Sequence, residues 1–341
     1  MTRTERLTAL VEAAIEYLEE GDLSGAKQKL AQAARIDPQD PDLLTVQASL
    51  AMIEGDLDRA LELSAKAVER APEDAHVLIA AADIALATEP ERAVDYARRA
   101  SEVVDEEEDL VNAILLLSEA LVATDRPEEA REALSELATS AIDEPGTIID
   151  VANAFIAAED PTTAELWLRR AIDGDDELAA DAWHGIGQCR EAKGDHDGMV
   201  AAWLETRRRD AALPPAEGAG ALSDDQLEEI ASEALEALPA QVRDRLANVP
   251  ILIDDLPSEH LVKDGWDPRL LGIFEGTPMP DQTTVGGAPS VTTIHLYRRN
   301  LERLAEGDTD LLAEEIRVTV LHETAHYFGL DDDDLEKIGL D

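Results

Sequence analysis

Apolar residues in the first two-thirds of the chain fall at helical spacing, in blocks that repeat at an offset of 34 residues. Gly21-Asp22-Leu23-Ser24-Gly25-Ala26 returns as Gly55-Asp56-Leu57-Asp58-Arg59-Ala60, and Pro38 returns as Pro72. The small residue closing that motif recurs as Ala93, Ala130 and Ala164, with Met199 in the sixth place. Twelve positions earlier stands another small residue each time: Ala14, Ala48, Ala81, Ser118, Ala152 and Gly187. Four before that is a large apolar one: Leu10, Leu44, Val77, Ile114, Ile148 and Trp183. This pattern predicts pairs of antiparallel helices. The small residues let the paired helices approach, and the large ones fill the space between neighbouring pairs. Pro38 and Pro72 stop the second helix of their units. Six units cover about residues 4–210, with intervals of 33, 37 and 35 where drift occurs.

The periodicity then lapses. Leu213-Pro214-Pro215-Ala216-Glu217-Gly218-Ala219-Gly220 has two prolines and two glycines and reads as a linker over 211–222. Ser223-Asp224-Asp225-Gln226 opens a helix as a capping box, followed by Leu227, Ile230, Ala231, Ala234, Leu235 and Leu238 at helix spacing. Val249 to Ile253 predicts a buried strand. Gly265 to Pro289 is rich in Gly and Pro and reads as irregular. Val291 to Tyr297 alternates, with Ile294 and Leu296 on one face and Thr293, His295 and Tyr297 on the other. A last helix starts near Asp308 and buries Leu312, Ile316 and Val320. The expected architecture is an all-α repeat domain at 1–210 and a small α+β domain at 223–341.

Charge narrows the functions. Against 29 Lys and Arg stand 76 Asp and Glu, a net charge of −47. Binding to nucleic acid or to anionic membranes requires basic surface, so neither is expected. Residues 1–210 carry a net −28 and residues 211–341 a net −19, so the acidity belongs to the whole surface; adaptation to high salt is one reading of it. The run Asp105-Glu106-Glu107-Glu108-Asp109 reads as a solvated turn. Arg207-Arg208-Arg209 fits a helix C-terminus, where cations oppose the dipole. A single cysteine, Cys189, excludes an internal disulfide and a four-cysteine metal site. With no apolar leader after Met1 and no membrane-length apolar window, a cytoplasmic protein is expected.

The chemistry lies in Leu321-His322-Glu323-Thr324-Ala325-His326-Tyr327-Phe328-Gly329. Two histidines four apart on a helix present both imidazoles on one face and can share a zinc ion. Glu323 lies beside that ion, placed to take a proton from water. Gly329 ends the helix and lets the chain turn back, which brings Asp332 within reach as a third ligand. Asp333 is the next choice, and Asp331, Asp334, Glu336 or the upstream Asp254 remain open. An oxyanion donor is also needed, and His295, Tyr297 and Tyr327 are the candidates.

The repeats resemble the tetratricopeptide repeat family, whose 34-residue unit is a helix–turn–helix. That resemblance implies a solenoid of six helix pairs with a groove for a peptide or protein partner, or a structural spacer. From about Leu222 to Gly339 the chain resembles small bacterial zincin-like metallopeptidase domains. Leu270-Leu271-Gly272-Ile273-Phe274-Glu275-Gly276-Thr277-Pro278, Thr293 to Arg299, and Glu314 to Leu335 carry the likeness. It implies a compact α+β fold with the metal helix on a small sheet, Zn2+ as cofactor, and peptide hydrolysis with Glu323 as the catalytic base. Two departures matter: metzincins have His where Asp332 stands and a methionine turn that is missing here, and gluzincins use a Glu far downstream. The competing reading is an interaction protein whose zincin-like domain binds metal but is weakly active or silent.

Overall fold

The repeat pattern becomes six helix pairs, and the first, second, third and fifth each begin with a side-chain cap written into the sequence. In the computed structural model the described residues are 2–173, 176–214, 222–238, 240–246, 249–276 and 293–330. They form two compact units, Met1–Ala171 and Ile172–Asp341. The first unit holds five pairs: α1 (Arg3–Glu19) with α2 (Leu23–Ala34), α3 (Pro41–Ile53) with α4 (Leu57–Arg70), α5 (Ala75–Leu86) with α6 (Pro90–Val103), α7 (Glu107–Ala123) with α8 (Pro127–Ser135), and α9 (Pro145–Ala157) with α10 (Pro161–Leu168). Asp22, Asp40, Asp56, Asp74 and Asp160 cap their helices, each side chain accepting a hydrogen bond from a first-turn backbone N–H. Proline occupies the first turn of α3, α6, α8, α9 and α10, where its missing N–H costs nothing.

The small positions are where the helices meet. Ala14, Ala48, Ala81, Ser118 and Ala152 are buried, as are Ala26, Ala60, Ala93, Ala130 and Ala164. Helices α2 and α4 end at Ala34 and Arg70, ahead of Pro38 and Pro72 as expected. The acid run straddles the loop before α7 and its first turn, where carboxylates complement the helix dipole. A 3-10 turn at Glu136–Thr139 lengthens the passage from α8 to α9.

The sixth pair, α11 (Asp176–Ala192) and α12 (His196–Ala212), falls in the second unit. The division therefore comes earlier than the linker expected at 211–222, and residues 215–221 of that linker lie outside the described residues. The side chains give the physical reason. Asp210 on α12 is 1% exposed and takes Arg269 Nε at 3.3 Å and Arg303 Nη2 at 2.7 Å. Asp181 on α11 pairs with the same two arginines at 2.6 and 3.3 Å. His184 Nε2 lies 2.9 Å from both carboxylate oxygens of Asp267. Met199 and Trp203 form an apolar cluster with the fully buried Val262. Within the pair, Gly187 is obligatory: a Cβ there would stand 2.0 Å from Trp203 Nε1.

The rest of this unit is α13 (Asp224–Glu236), α14 (Ala240–Leu246), β1 (Ile251–Asp254), α15 (Glu259–Lys263), β2 (Gly272–Glu275), β3 (Thr293–Tyr297), α16 (Arg298–Ala305) and α17 (Thr309–Tyr327). The strands form a sheet in the order β1-β3-β2, with β1 parallel and β2 antiparallel to β3. Ile294 and Leu296 of β3 pack with Leu227 and Ala231 of α13 and with Leu312, Ile316 and Val320 of α17. The stretch expected to be irregular thus contains β2. Its four residues, bounded by glycine, are too few to display an alternating pattern. Residues 277–292 lie outside the described residues. Among the described residues, no helix is long and apolar enough to cross a membrane.

Candidate metal centre

Helix α17 is capped by Asp308, whose side chain accepts from the N–H groups of Asp310 and Leu311, and runs through His322, Glu323 and His326. Its apolar stripe faces the sheet, which fixes the rotation of the helix and so the direction of the two imidazoles. His322 Nε2 and His326 Nε2 converge to 3.0 Å, with ring planes at 77°. His326 Nδ1–H donates to the carbonyl of Leu330 at 3.0 Å. That bond assigns the tautomer and leaves Nε2 with its lone pair towards His322.

The arrangement fits a tetrahedral ion. Zn–N bonds of ~2.0–2.1 Å at tetrahedral angles set two ligand nitrogens ~3.3 Å apart, within a few tenths of an ångström of the observed separation. The carbonyl of Leu330 is available because the helix ends in a left-handed turn: Gly329 has φ +81° and Leu330 N–H reaches back to Ala325 O at 3.2 Å. Among the described residues, no group of three or more His, Cys, Asp or Glu is placed to hold a metal ion. Asp332, Asp333 and the acids around them lie outside the described residues.

Glu323 is 6% exposed. Strand β2 passes directly over it: a Cβ on Gly272 would meet Thr319 Cγ2 at 2.6 Å, His295 O at 2.9 Å and Glu323 Cγ at 3.3 Å. Only glycine allows the strand to lie this close to the helix. Gly272 is a site residue that the sequence pattern alone does not single out.

The three oxyanion candidates have different surroundings. Tyr297 is buried, and its hydroxyl is held far above its ordinary pKa, first by burial and then by the charges of Asp254, Glu275 and Glu323. It therefore remains a hydrogen-bond donor, within the field of Glu323. His295 is held from both sides, its Nδ1 2.8 Å from Asp254 Oδ2 and its Nε2 3.7 Å from Glu275 Oε2. Asp254, open as an upstream ligand on sequence grounds, is thus engaged by His295. The ring of Tyr327 packs edge-on against Phe274 of β2 at 5.7 Å and against Phe328 at 5.0 Å.

Comparison with known proteins bears on both parts of the chain. Residues 246–340 match the zincin-like metallopeptidase family. This region includes the sheet, α16 and the helix carrying His322, Glu323 and His326. Among solved structures, PilW, a widely conserved type IV pilus biogenesis factor, aligns at a TM-score of 0.51 with 16% identity, covering 61% of this chain and 94% of its own. PilF of Pseudomonas aeruginosa aligns at 0.49 with 19% identity, covering 62% and 95%. YrrB, described as a TPR protein with an unusual peptide-binding site, aligns at 0.42 with 17% identity, covering 54% and 93%. The likeness to PilW shows a shared fold and nothing of function. No curated protein matches the chain. A tetratricopeptide-type array is joined here to a zincin-like region.

Proposed function

We propose that the zincin-like region is a zinc-dependent peptidase and that the repeats hold a protein substrate or regulator for it. The convergence of His322 and His326 Nε2 at 3.0 Å, beside a buried Glu323, carries this reading. His322 and His326 would hold the ion, and Asp332 is proposed as the third ligand, with Asp333 as the alternative. A zinc ion there supplies Lewis acidity, acidifying water and polarising the scissile carbonyl.

The protein's own groups account for the proton transfers and the charge. Glu323 accepts a proton from the attacking water as its oxygen bonds to the carbonyl carbon. The same carboxyl returns that proton to the amine nitrogen as the C–N bond breaks. Burial suits this role, since it keeps bulk water from competing for the proton. Tyr297, kept protonated, is the preferred donor to the developing oxyanion, and His295, oriented by Asp254, is the second. Tyr327 is the third candidate, with its ring already committed to packing.

Protein purified without chelators is expected to carry one equivalent of zinc by mass spectrometry, and His322→Ala none. Glu323→Gln is expected to retain zinc while losing about 10²–10⁴-fold in peptide hydrolysis. Wild-type protein without metal overturns the site. Zinc retention with equal hydrolysis by wild type and Glu323→Gln overturns the peptidase and favours the repeats as the working part.

A further inference from the structure

The repeat unit carries a cavity of about 390 Å³ between α7 and α9. Leu115, Val122, Ala154 and Ala157 form apolar walls, and each helix contributes one acid, Glu119 and Asp150. At the N-terminal ends of the same two helices a second cavity, of about 500 Å³, is lined by Glu107, Glu108, Asp143 and Glu144. Neither cavity has a Lys or Arg in its lining. Elsewhere in the unit some acids have a basic partner, as in Arg98–Glu129, Arg99–Asp95, Arg126–Glu91 and Lys66–Glu62. Two further observations bear on the first cavity. Ser118, 1% exposed, lines the first cavity with an Oγ that has no hydrogen-bond partner. Burial pushes the Asp150 carboxyl above its usual pKa, and the charge of Glu144 pushes it the same way.

We propose that the α7–α9 cleft binds an extended cationic protein segment, seating a Lys or Arg between Glu119 and Asp150. This deepens the reading that the repeats recruit a protein, and rests on it. A long cationic side chain has the required dual character: its methylene stem covers the apolar walls and its head reaches the carboxylates. An acidic segment is repelled there, and an uncharged one leaves Asp150 uncompensated. The general acidity of the molecule draws cations to every face, but that attraction is screened beyond ~8 Å at physiological ionic strength. The cleft is distinguished by two acids, one from each helix, set beside apolar walls with no Lys or Arg in the lining.

The test uses full-length Glu323→Gln protein, so that no probe is cleaved, and fluorescence anisotropy with three labelled peptides at near-physiological salt. One alternates Lys and Leu, one Glu and Leu, one Gln and Leu. The Lys peptide is expected to bind, and Glu119→Gln with Asp150→Asn to weaken it about tenfold or more. The exposed control pair Glu69→Gln with Glu73→Gln is expected to leave binding unchanged. Asn153→Lys, which places a cation in the lining by a separate route, is expected to weaken it too, with folding of each variant checked by circular dichroism. Equal binding of Lys and Gln peptides overturns the cationic assignment while leaving recruitment in place. Equal losses in cleft and control variants also overturn it, because the attraction is then that of the whole surface. Binding of none of the three overturns the cleft and recruitment through it, and leaves zinc content and hydrolysis to judge the peptidase separately.

Discussion

The turn inside five of the six described helix pairs shows what one backbone position costs. Gly21, Gly55 and Gly194 take φ of 75°, 77° and 71° there, while Asp125 and Glu159 take φ of 58° and 60° at the matching turns. A side chain in the left-handed region costs about 1–2 kcal/mol, offset in part by the entropy glycine loses on folding. Asp125→Gly and Glu159→Gly are therefore each expected to stabilise the chain by about 0.5–1 kcal/mol. A later denaturant midpoint would show it, and an earlier one for both would reject the strain. Asp267 makes a pH-dependent contribution. Burial opposes its ionisation, but the hydrogen bond and charge of His184 and the Arg269 N–H and charge outweigh it and hold the carboxyl below its usual pKa. Its contribution is thus present above the unfolded value of about 3.8 and lost as pH falls through the lower folded value. Asp267→Asn is expected to lower stability at pH 7 by about 1–2 kcal/mol. Its deficit should shrink below pH ~4; a deficit that instead grew in acid would contradict the pairing. At this scale the candidate residues His322, Glu323 and His326 stand out in the sequence, because one helical turn separates the two histidines. The Asp254 partner of His295 is hidden, since it depends on the register of two parallel strands distant in sequence.

Elements differed in legibility by length and period. Helices of the repeat array announce themselves through small residues at fixed intervals, and α17 through a long apolar stripe ending in glycine. Strand β3 shows itself by Ile294 and Leu296 alternating with polar neighbours. Strand β2 does not, because its four residues sit in a glycine-bounded segment and earn their conformation from pairing with β3. Yet β2 governs the approach to Glu323. Gly272→Ala inserts a methyl 2.6 Å from Thr319 Cγ2 and 2.9 Å from a backbone oxygen that cannot yield cheaply. The expected outcome is a loss of about 1–3 kcal/mol in stability from overpacking. Because the strand is displaced from Glu323 while His322 and His326 stay on their helix, zinc content should persist as hydrolysis falls. Loss of zinc in step with stability would mean that β2 supports the whole helix rather than the base alone.

At the scale of the molecule, the repeat motif and the folded unit part company. By sequence period α11 and α12 are a sixth repeat, yet they fold within the second unit. The period reports how a helix pair packs internally, and Gly187 against Trp203 satisfies it. It is blind to Asp181, His184 and Asp210, whose partners Asp267, Arg269 and Arg303 lie far along the chain. Removing Asp210 leaves Arg269, only 15% exposed at its side chain, without one of its two carboxylates. Asp181 still pairs with both arginines, so Asp210→Ala is expected to cost less than the ~3–5 kcal/mol of a fully orphaned buried charge, read as an earlier denaturant midpoint. A fragment of residues 222–341 would lack Asp181, His184 and Asp210 together, and would also expose Val262, which Met199 and Trp203 now cover. A fragment of residues 172–341 keeps all of these contacts. The longer fragment is expected to melt cooperatively with a fixed near-ultraviolet circular dichroism signal, and the shorter to lack both. Equal cooperative melting of the two fragments would show that α11 and α12 merely adjoin the zincin-like core, whereas failure of the shorter alone makes them part of it.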